Sequence, residues 1–105
     1  MNLIMEISEF QQKMRDLYIH NDKKRGIHRT SLWLGEEMGE LMSELKYSID
    51  KIDKQAVAAE MADIYAWVAS LANLLEIDLQ SIILNKYDKC PKCNSDPCIC
   101  EKNLP

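Results

Sequence analysis

Strand signals are missing from this sequence. No segment alternates apolar and polar residues, and the chain of 105 residues contains only three glycines to make tight turns. Alternation is the pattern of half-buried strands, so its absence favours an all-α fold. The sequence also lacks any apolar run near the roughly 20 residues that a membrane span requires. We therefore expect no membrane partner.

Two further features are absent, and each excludes a class of protein. Residues 1–10 carry Glu6 and Glu9 and no basic start followed by an apolar stretch, so we expect no signal peptide and a cytoplasmic location. An excess of basic residues is also missing, since the formal net charge is −4. An acidic chain is poorly suited to coat a nucleic-acid backbone, and we expect no nucleic-acid partner. The small basic cluster is interpreted as a solvated loop: Lys23, Lys24, Arg25 and Arg29.

Apolar residues recur at three- and four-residue steps, which predicts helices. The first predicted helix runs from about Asn2 to His20, and the polar stretch Asn21–Arg29 is predicted to be a loop. A second helix is expected to begin at a cap on Thr30 or Ser31 and to reach about Ile49.

Two more helices are predicted by their caps. Asp53 is a good N-cap for an alanine-rich helix that reaches about Leu75, and Asp78 for a last helix over Leu79–Lys86. Together the four segments predict an antiparallel four-helix bundle. Four short helices give a thin core, so we expect apolar residues left at the surface to pair the chain into a homodimer: Met42, Leu71, Leu74 and Leu75.

Carboxylates recur at helical spacing on the second and third predicted helices. Glu37 and Glu40 share one face, and Glu60 and Asp63 share a face of a helix that is otherwise apolar. Such like charges repel unless something neutralises them, and a helix hairpin would bring both pairs together. Converging carboxylates form a hard-oxygen site suited to Mg²⁺ or Mn²⁺.

A solvated acidic face is the competing interpretation of these carboxylates, and it fits Glu36 and Glu44 equally well. Di-iron bundles also use clustered carboxylates, but they add histidines in a Glu-x-x-His pattern. This chain has only His20 and His28, and neither follows a glutamate by three. The sequence therefore argues against redox di-iron chemistry.

All four cysteines lie near the carboxyl end of the sequence, in a Cys-Pro-x-Cys turn followed by a Cys-x-Cys pair: Cys90, Cys93, Cys98 and Cys100. This compact cluster predicts a zinc knuckle with structural Zn²⁺, and an iron–sulfur cluster is the alternative. Asn94 follows the turn and tolerates a left-handed backbone. We divide the chain into a helical domain, 1–88, and a zinc-binding tail, 89–105.

Three segments together resemble the MazG-like nucleotide pyrophosphohydrolases. They are Leu34–Leu41 with its Glu-Glu-x-x-Glu motif, Glu60–Ile64 with its Glu-x-x-Asp motif, and Asn85–Tyr87. The resemblance covers about Leu32 to Tyr87. It implies an all-α dimer or tetramer that uses Mg²⁺ to hydrolyse nucleoside triphosphates, often non-standard or deoxy forms, to the monophosphate and pyrophosphate.

The resemblance also implies roles for individual residues. Glu37, Glu40, Glu60 and Asp63 would hold the metal, and Glu36 would orient or activate the attacking water. The candidates for substrate contact are two residues of the last helix and two tryptophans: Asn85, Lys86, Trp33 and Trp67. A solvated helix end for the first two, and a core or interface role for the tryptophans, are the competing interpretations.

Three alternatives to this function stay open. Phosphoribosyl-ATP pyrophosphohydrolase shares the same two acidic motifs. A non-catalytic helical module could instead use its zinc tail for interaction, and a helical bundle could bind or sense metal without turnover. Mg²⁺-dependent release of pyrophosphate distinguishes the hydrolase from the last two.

Overall fold

The computed structural model describes residues 4–101, and the described residues form helices and no strands. The order along the chain is α1 over Ile7–Glu44, a short 3₁₀ turn over Ile49–Lys51, α2 over Lys54–Leu75 and α3 over Leu79–Lys86. The all-α prediction is confirmed. The predicted start of the first helix at Asn2 lies outside the described residues, and among those described the helix begins at Ile7.

The first two predicted helices form one element, α1, which is interrupted only by a kink at Gly26, so the predicted loop over Asn21–Arg29 is wrong. The described part of the chain has three α-helices, and the predicted four-helix bundle is not confirmed. Helical geometry is lost within α1 only at Gly26 (φ 85°, ψ 167°). The polar residues around it stay helical because two of them are buried rather than solvated. Asp22 is 1% exposed and Thr30 is fully buried.

The predicted caps of the second helix are also wrong. The Thr30 hydroxyl donates a hydrogen bond to the Gly26 carbonyl at 2.7 Å, and the Ser31 hydroxyl donates to the His28 carbonyl at 2.7 Å. Both hydroxyls therefore bond backward to carbonyls instead of accepting from the next helical turn. The helix also ends at Glu44 rather than near Ile49.

The predictions for α2 and α3 are confirmed. The Asp53 carboxylate accepts hydrogen bonds from the Gln55 and Ala56 N–H groups, and the Asp78 carboxylate accepts from Ser81 N–H. Such caps satisfy amide groups that lack helical partners. In the described part of the chain no single helix is long and apolar enough to cross a membrane; only α2 and α3 together, across a 107° bend, pass that test of length and composition.

Helix α2 packs antiparallel along α1, and polar contacts fix the register at one end. The Gln11 amide donates to Asn73 Oδ1 at 3.1 Å and to the Ile77 carbonyl at 2.7 Å, and Asn73 donates back to the Gln11 carbonyl at 3.2 Å. Gln11 Oε1 also accepts from the Leu79 N–H at the start of α3. The buried apolar core of the described residues is small: Met14, Val57, Ala69 and Ala72.

Candidate functional site

Three carboxylates converge at the opposite end of the α1–α2 pair. Glu37 comes from the part of α1 that follows the Gly26 break, whereas Glu60 and Asp63 come from one face of α2. One carboxylate oxygen from each lies within 4.8 Å of the other two. The antiparallel pairing of α1 and α2 thus brings together residues that are 23 or more positions apart in the sequence.

The carboxylates in this cluster are incompletely satisfied. Glu37 Oε2 and Glu60 Oε2 are buried and have no hydrogen-bond partner among the described residues. A hydrogen bond with the Glu37 carboxyl, partial burial and the negative charges of Glu40 and Glu37 raise the pKa of Glu60 to about 7. Carboxylate oxygens held this close, with no cationic partner in the described part of the chain, fit a hard divalent cation such as Mg²⁺.

The other predicted acidic residues lie at the margin of the cluster. Glu40 is exposed, but it is close enough for its charge to act on the Glu60 carboxyl. Glu36 is also exposed and lies outside the group of three. The structure therefore places Glu37, Glu60 and Asp63 together, with Glu40 beside them and Glu36 on the solvent side of α1.

A cleft of about 430 Å³ opens between α1 and α2 next to the carboxylates. Glu37 and Asp63 form part of its wall, which links the candidate metal site to a space large enough for a small-molecule ligand. The remaining lining residues come from both helices: Tyr18, Asn21, Asp22, Arg25, Ala66, Trp67 and Ser70.

An aromatic pair borders this cleft. The rings of Trp33 and Trp67 are nearly parallel, with centroids 6.3 Å apart and an interplanar angle of 14°. Trp67 lines the cleft, and the Arg25 guanidinium lies 4.7 Å from its ring centroid. Trp33 is 45% exposed and supports Trp67 without lining the cleft itself.

The two predicted phosphate contacts from the last helix lie elsewhere in the chain. Asn85 and Lys86 are exposed at the end of α3, outside the cleft, and the Lys86 ammonium lies 5.7 Å from the Tyr87 ring centroid. Their contact with substrate stays a prediction.

The sequence interpretation missed a whole wall of the cleft. Tyr18, Asn21, Asp22 and Arg25 lie on one face of α1, at steps of three and four residues along the helix. That spacing is the available signal, but the polar composition of Asn21–Arg29 predicts a loop and predicts that Arg25 belongs to a solvated cluster. Ser70, from α2, is buried in a helix whose other small residues are alanines, and nothing in the local pattern singled it out.

The four cysteines form a separate cluster. The Sγ atoms of Cys90 and Cys100 are 3.8 Å apart, those of Cys93 and Cys98 are 3.9 Å apart, and all four lie within 4.8 Å of one another. The thiols are free. A Zn–S bond of about 2.3 Å implies S···S edges of about 3.8 Å in a tetrahedron, and the Cys90–Cys100 and Cys93–Cys98 distances match two such edges.

Backbone amides favour the thiolate form at Cys90 and Cys93. The Ile99 N–H donates to Cys93 Sγ at 3.4 Å and, as the main cause, lowers the pKa of Cys93 to about 6. Backbone N–H groups of Cys93 and Lys92 lower the pKa of Cys90. A hydrogen bond with Cys98 is the main effect that raises the pKa of Cys100 to about 12.

Asn94 adopts the expected left-handed conformation (φ 59°), which closes the turn.

Comparisons with known proteins point to one family. The profile of a family described as the MazG nucleotide pyrophosphohydrolase domain matches residues 25–94, which is more than half of the chain. A comparison with curated proteins finds no match. The family match includes the carboxylate cluster and both α2 and α3, and it ends within the cysteine cluster.

Proposed function

Since the chain belongs to the MazG nucleotide pyrophosphohydrolase family, we propose that it hydrolyses nucleoside triphosphates to the monophosphate and pyrophosphate with the help of Mg²⁺ or Mn²⁺. The observation that carries this proposal is the position of the carboxylate cluster. Its unpartnered oxygens lie beside a cleft that Glu37 and Asp63 share with a tryptophan and an arginine.

Four carboxylates would hold the metal. Glu37, Glu60 and Asp63 already converge, and Glu40 completes the set from the next turn of α1. Mg²⁺, when bound there, neutralises phosphate charge and polarises the phosphorus. A raised pKa at Glu60 fits this role, because a carboxyl that is hard to ionise beside other carboxylates ionises readily beside a cation.

Glu36 would prepare the attacking water. It is exposed next to Glu37, and a carboxylate at that place can accept a proton from water as the water oxygen attacks the α-phosphorus. The new bond joins the water oxygen to the α-phosphorus. The bond from that phosphorus to the oxygen bridging to the β-phosphorus breaks, and pyrophosphate leaves with the bridging oxygen. The hydrolysis needs no other reactant.

The substrate is proposed to be a non-standard or deoxynucleoside triphosphate. Trp67, which lines the cleft next to the carboxylates, and Trp33 are proposed to contact the base. Asn85 and Lys86 are proposed to contact phosphates. Phosphoribosyl-ATP is the alternative substrate.

We also propose that the tail binds structural Zn²⁺ through its four thiols and that the cytoplasm keeps those thiols reduced. We further propose that two chains form a homodimer, with a tetramer as the alternative. The zinc proposal is supported by the close approach of the four sulfurs, all within 4.8 Å of one another, and by amide groups that stabilise thiolates. The dimer is supported by the many exposed apolar side chains of the single chain.

The direct test is pyrophosphate release from a panel of NTPs, dNTPs and phosphoribosyl-ATP in the presence of Mg²⁺. We expect Glu37→Gln and Asp63→Asn each to lower kcat/KM by at least about 100-fold, the size of a lost catalytic group. Asp50→Asn, which neutralises an exposed carboxylate outside the cluster, is the matched control and should retain wild-type activity. A folded, metal-loaded protein that releases no pyrophosphate from any substrate would contradict the proposal and favour a non-catalytic zinc-binding module.

A further inference from the structure

Arg25 is the one cation that lines the cleft in the described part of the chain. It is the last residue before the Gly26 break in α1, and its side chain is 21% exposed. Glu37 and Asp63 line the same cleft, yet among the described residues the only ion pair that Arg25 forms is with Asp22. Arg25 therefore shares the cleft with two residues of the candidate metal site but forms no ion pair with either of them.

The orientation of Arg25 is fixed from several sides. Its Nη1 donates to Asp22 Oδ1 at 2.9 Å and to Thr30 Oγ1 at 3.3 Å, and the guanidinium stacks over Trp67 at 4.7 Å. Asp22 is 1% exposed and Thr30 fully buried, so both supports are held by packing. An arginine fixed by buried groups loses little side-chain entropy when it binds a ligand.

The ion pair between Arg25 and Asp22 leaves hydrogen-bonding groups of both side chains unused. A carboxylate and a guanidinium can form two parallel hydrogen bonds, but Arg25 uses only Nη1 and Asp22 uses only Oδ1. Within residues 4–101, Arg25 Nε and Nη2 make no hydrogen bond, and Asp22 Oδ2 is buried without a partner. Three N–H groups of the guanidinium thus stay free for a ligand in the cleft.

The neighbouring groups identify that ligand as a phosphate chain. A planar guanidinium matches the oxygens of a phosphate group through paired, charge-assisted hydrogen bonds. On the proposed function, the triphosphate is drawn to the metal held by Glu37 and Asp63, which line the same cleft. When the α-phosphorus loses its bridging oxygen, negative charge accumulates on the departing pyrophosphate, where a fixed cation stabilises it most.

We propose that Arg25, oriented by Asp22, donates hydrogen bonds to the phosphate chain of the substrate and stabilises the pyrophosphate leaving group. The inference rests on the proposed function and adds a residue to which the acidic motifs do not point. Asp22 is a positioning residue, since it acts through Arg25.

The experiment measures binding of inorganic pyrophosphate with Mg²⁺ by calorimetry, and kcat/KM with the best nucleotide. Arg25→Lys keeps the positive charge but loses the planar guanidinium and its paired hydrogen bonds. This variant should weaken pyrophosphate binding and lower kcat/KM, each by about tenfold or more. Lys23→Gln removes one positive charge from an exposed position on the same helix and should change either value less than threefold. Asp22→Asn alone should weaken pyrophosphate binding. In the double variant with Arg25→Lys, it should cause no further loss of binding.

A second measurement needs no variant. A dicarbonyl reagent that modifies arginine is applied to the wild-type protein, and the modified peptides are quantified. Mg²⁺ with pyrophosphate should protect Arg25 but not the other two arginines, Arg15 and Arg29. If the wild type hydrolyses nucleotides while Arg25 stays unprotected, or if Arg25→Lys binds pyrophosphate like wild type, this inference is wrong and the proposed function stands. A wild type without hydrolysis and without Mg²⁺-dependent pyrophosphate binding would overturn both.

Discussion

At the scale of single residues, the close packing of the acidic cluster should make folding depend on protonation and, on the proposed function, on metal binding. One carboxylate oxygen each from Glu37, Glu60 and Asp63 lies within 4.8 Å of the other two, and two oxygens of the cluster are buried without partners among residues 4–101. Without a cation, the carboxyls are stabilised by a proton that one of them shares with its neighbours through a hydrogen bond. The pKa of Glu60 therefore rises to about 7. The site is therefore less favourable for folding when it is fully ionised and metal-free.

Glu60→Gln should stabilise the metal-free protein at alkaline pH. The pKa of Glu60 is about 7 in the folded chain and 4.5 for an unperturbed glutamate, so folding takes up a proton between these values. The contribution of Glu60 to the stability of wild type is thus full below about pH 4.5 and is lost as pH rises through 7. Glutamine imitates the neutral carboxyl, so the advantage of the variant should be largest at pH 8 and shrink toward pH 5.

Urea unfolding in buffer freed of divalent ions by a chelating resin measures this difference. Glu101→Gln, at an exposed position in the tail, is the control and should show no such pH dependence. Added Mg²⁺ should reverse the ranking at pH 8, because the metal binds the folded wild type. Equal stability of wild type and Glu60→Gln at every pH would show that Glu60 is not strained by its neighbours.

At the scale of elements, the break at Gly26 divides α1 into two parts, and residues from both parts line the same cleft. Its backbone (φ 85°, ψ 167°) lies in a region that essentially only glycine adopts. Arg25 and Thr30 lie on either side of the break and are joined across it by a hydrogen bond of 3.3 Å. The break thus connects the helical segment that carries Arg25 to the segment that carries the acidic motif.

Gly26→Ala should destabilise the protein by about 1–3 kcal/mol through backbone strain. A Cβ atom at Gly26 would meet no heavy atom within 4 Å, so steric overlap is not the cause. Gly35→Ala is the matched control, since Gly35 is helical and equally open, and alanine there should add about 0.5–1 kcal/mol of stability. Urea unfolding at equal protein concentration compares the two; a tolerated Gly26→Ala would mean that α1 can straighten.

The cysteine tail is a second element with its own energetics. It follows α3 directly, and a bound Zn²⁺ would supply the cross-links that so short a segment cannot obtain from a hydrophobic core. Chelation of zinc, or Cys93→Ser, should therefore lower the melting temperature more than it alters Mg²⁺-dependent hydrolysis. Ile99→Ser changes an exposed residue of the same tail and leaves the four thiols intact.

Zinc content by elemental mass spectrometry and thermal unfolding test this expectation. We expect one zinc per chain in wild type and in Ile99→Ser, and a loss of zinc and of thermal stability in Cys93→Ser. A chelator selective for zinc over magnesium separates the tail from the carboxylate cluster. Equal thermal stability with and without zinc would contradict a stabilising role for the tail.

At the scale of the whole molecule, the single chain leaves much apolar surface uncovered. Only four apolar side chains are buried among the described residues, whereas Leu32 is 73% exposed, Met42 64% and Ile49 86%. Of the residues expected to pair two chains, Met42 and Leu75 are exposed, and Leu71 and Leu74 are half-buried. Exposed apolar surface of this extent is typical of a chain that is stable only as an oligomer.

The melting temperature should accordingly rise with protein concentration. Dissociation accompanies unfolding in an obligate oligomer, so mass action stabilises the folded state as the chain becomes more concentrated. Light scattering should give twice or four times the mass of one chain, and Met42→Lys should lower both the mass and the melting temperature. A monomer whose melting temperature is independent of concentration would contradict the homo-oligomer.

The sequence by itself determined the features that depend on local chemistry. Asp53 and Asp78 cap the next helical turn wherever the chain lies, so the beginnings of α2 and α3 could be predicted. The Cys-Pro-x-Cys turn is equally local, and so is the left-handed Asn94. The proximity of Glu60 and Asp63 to a further carboxylate could be predicted, because carboxylates at helical spacing on an apolar helix face need a partner.

Only the tertiary structure decided which polar residues near Gly26 are buried. Asn21–Arg29 has the composition of a loop, but the packing of α2 against α1 buries Asp22 and Thr30 and keeps the segment helical on both sides of Gly26. The same packing places Arg25 beside Trp67 and in one cleft with Glu37. Such contacts join positions far apart in the sequence, so they cannot be predicted from local helix propensity or from the spacing of residues.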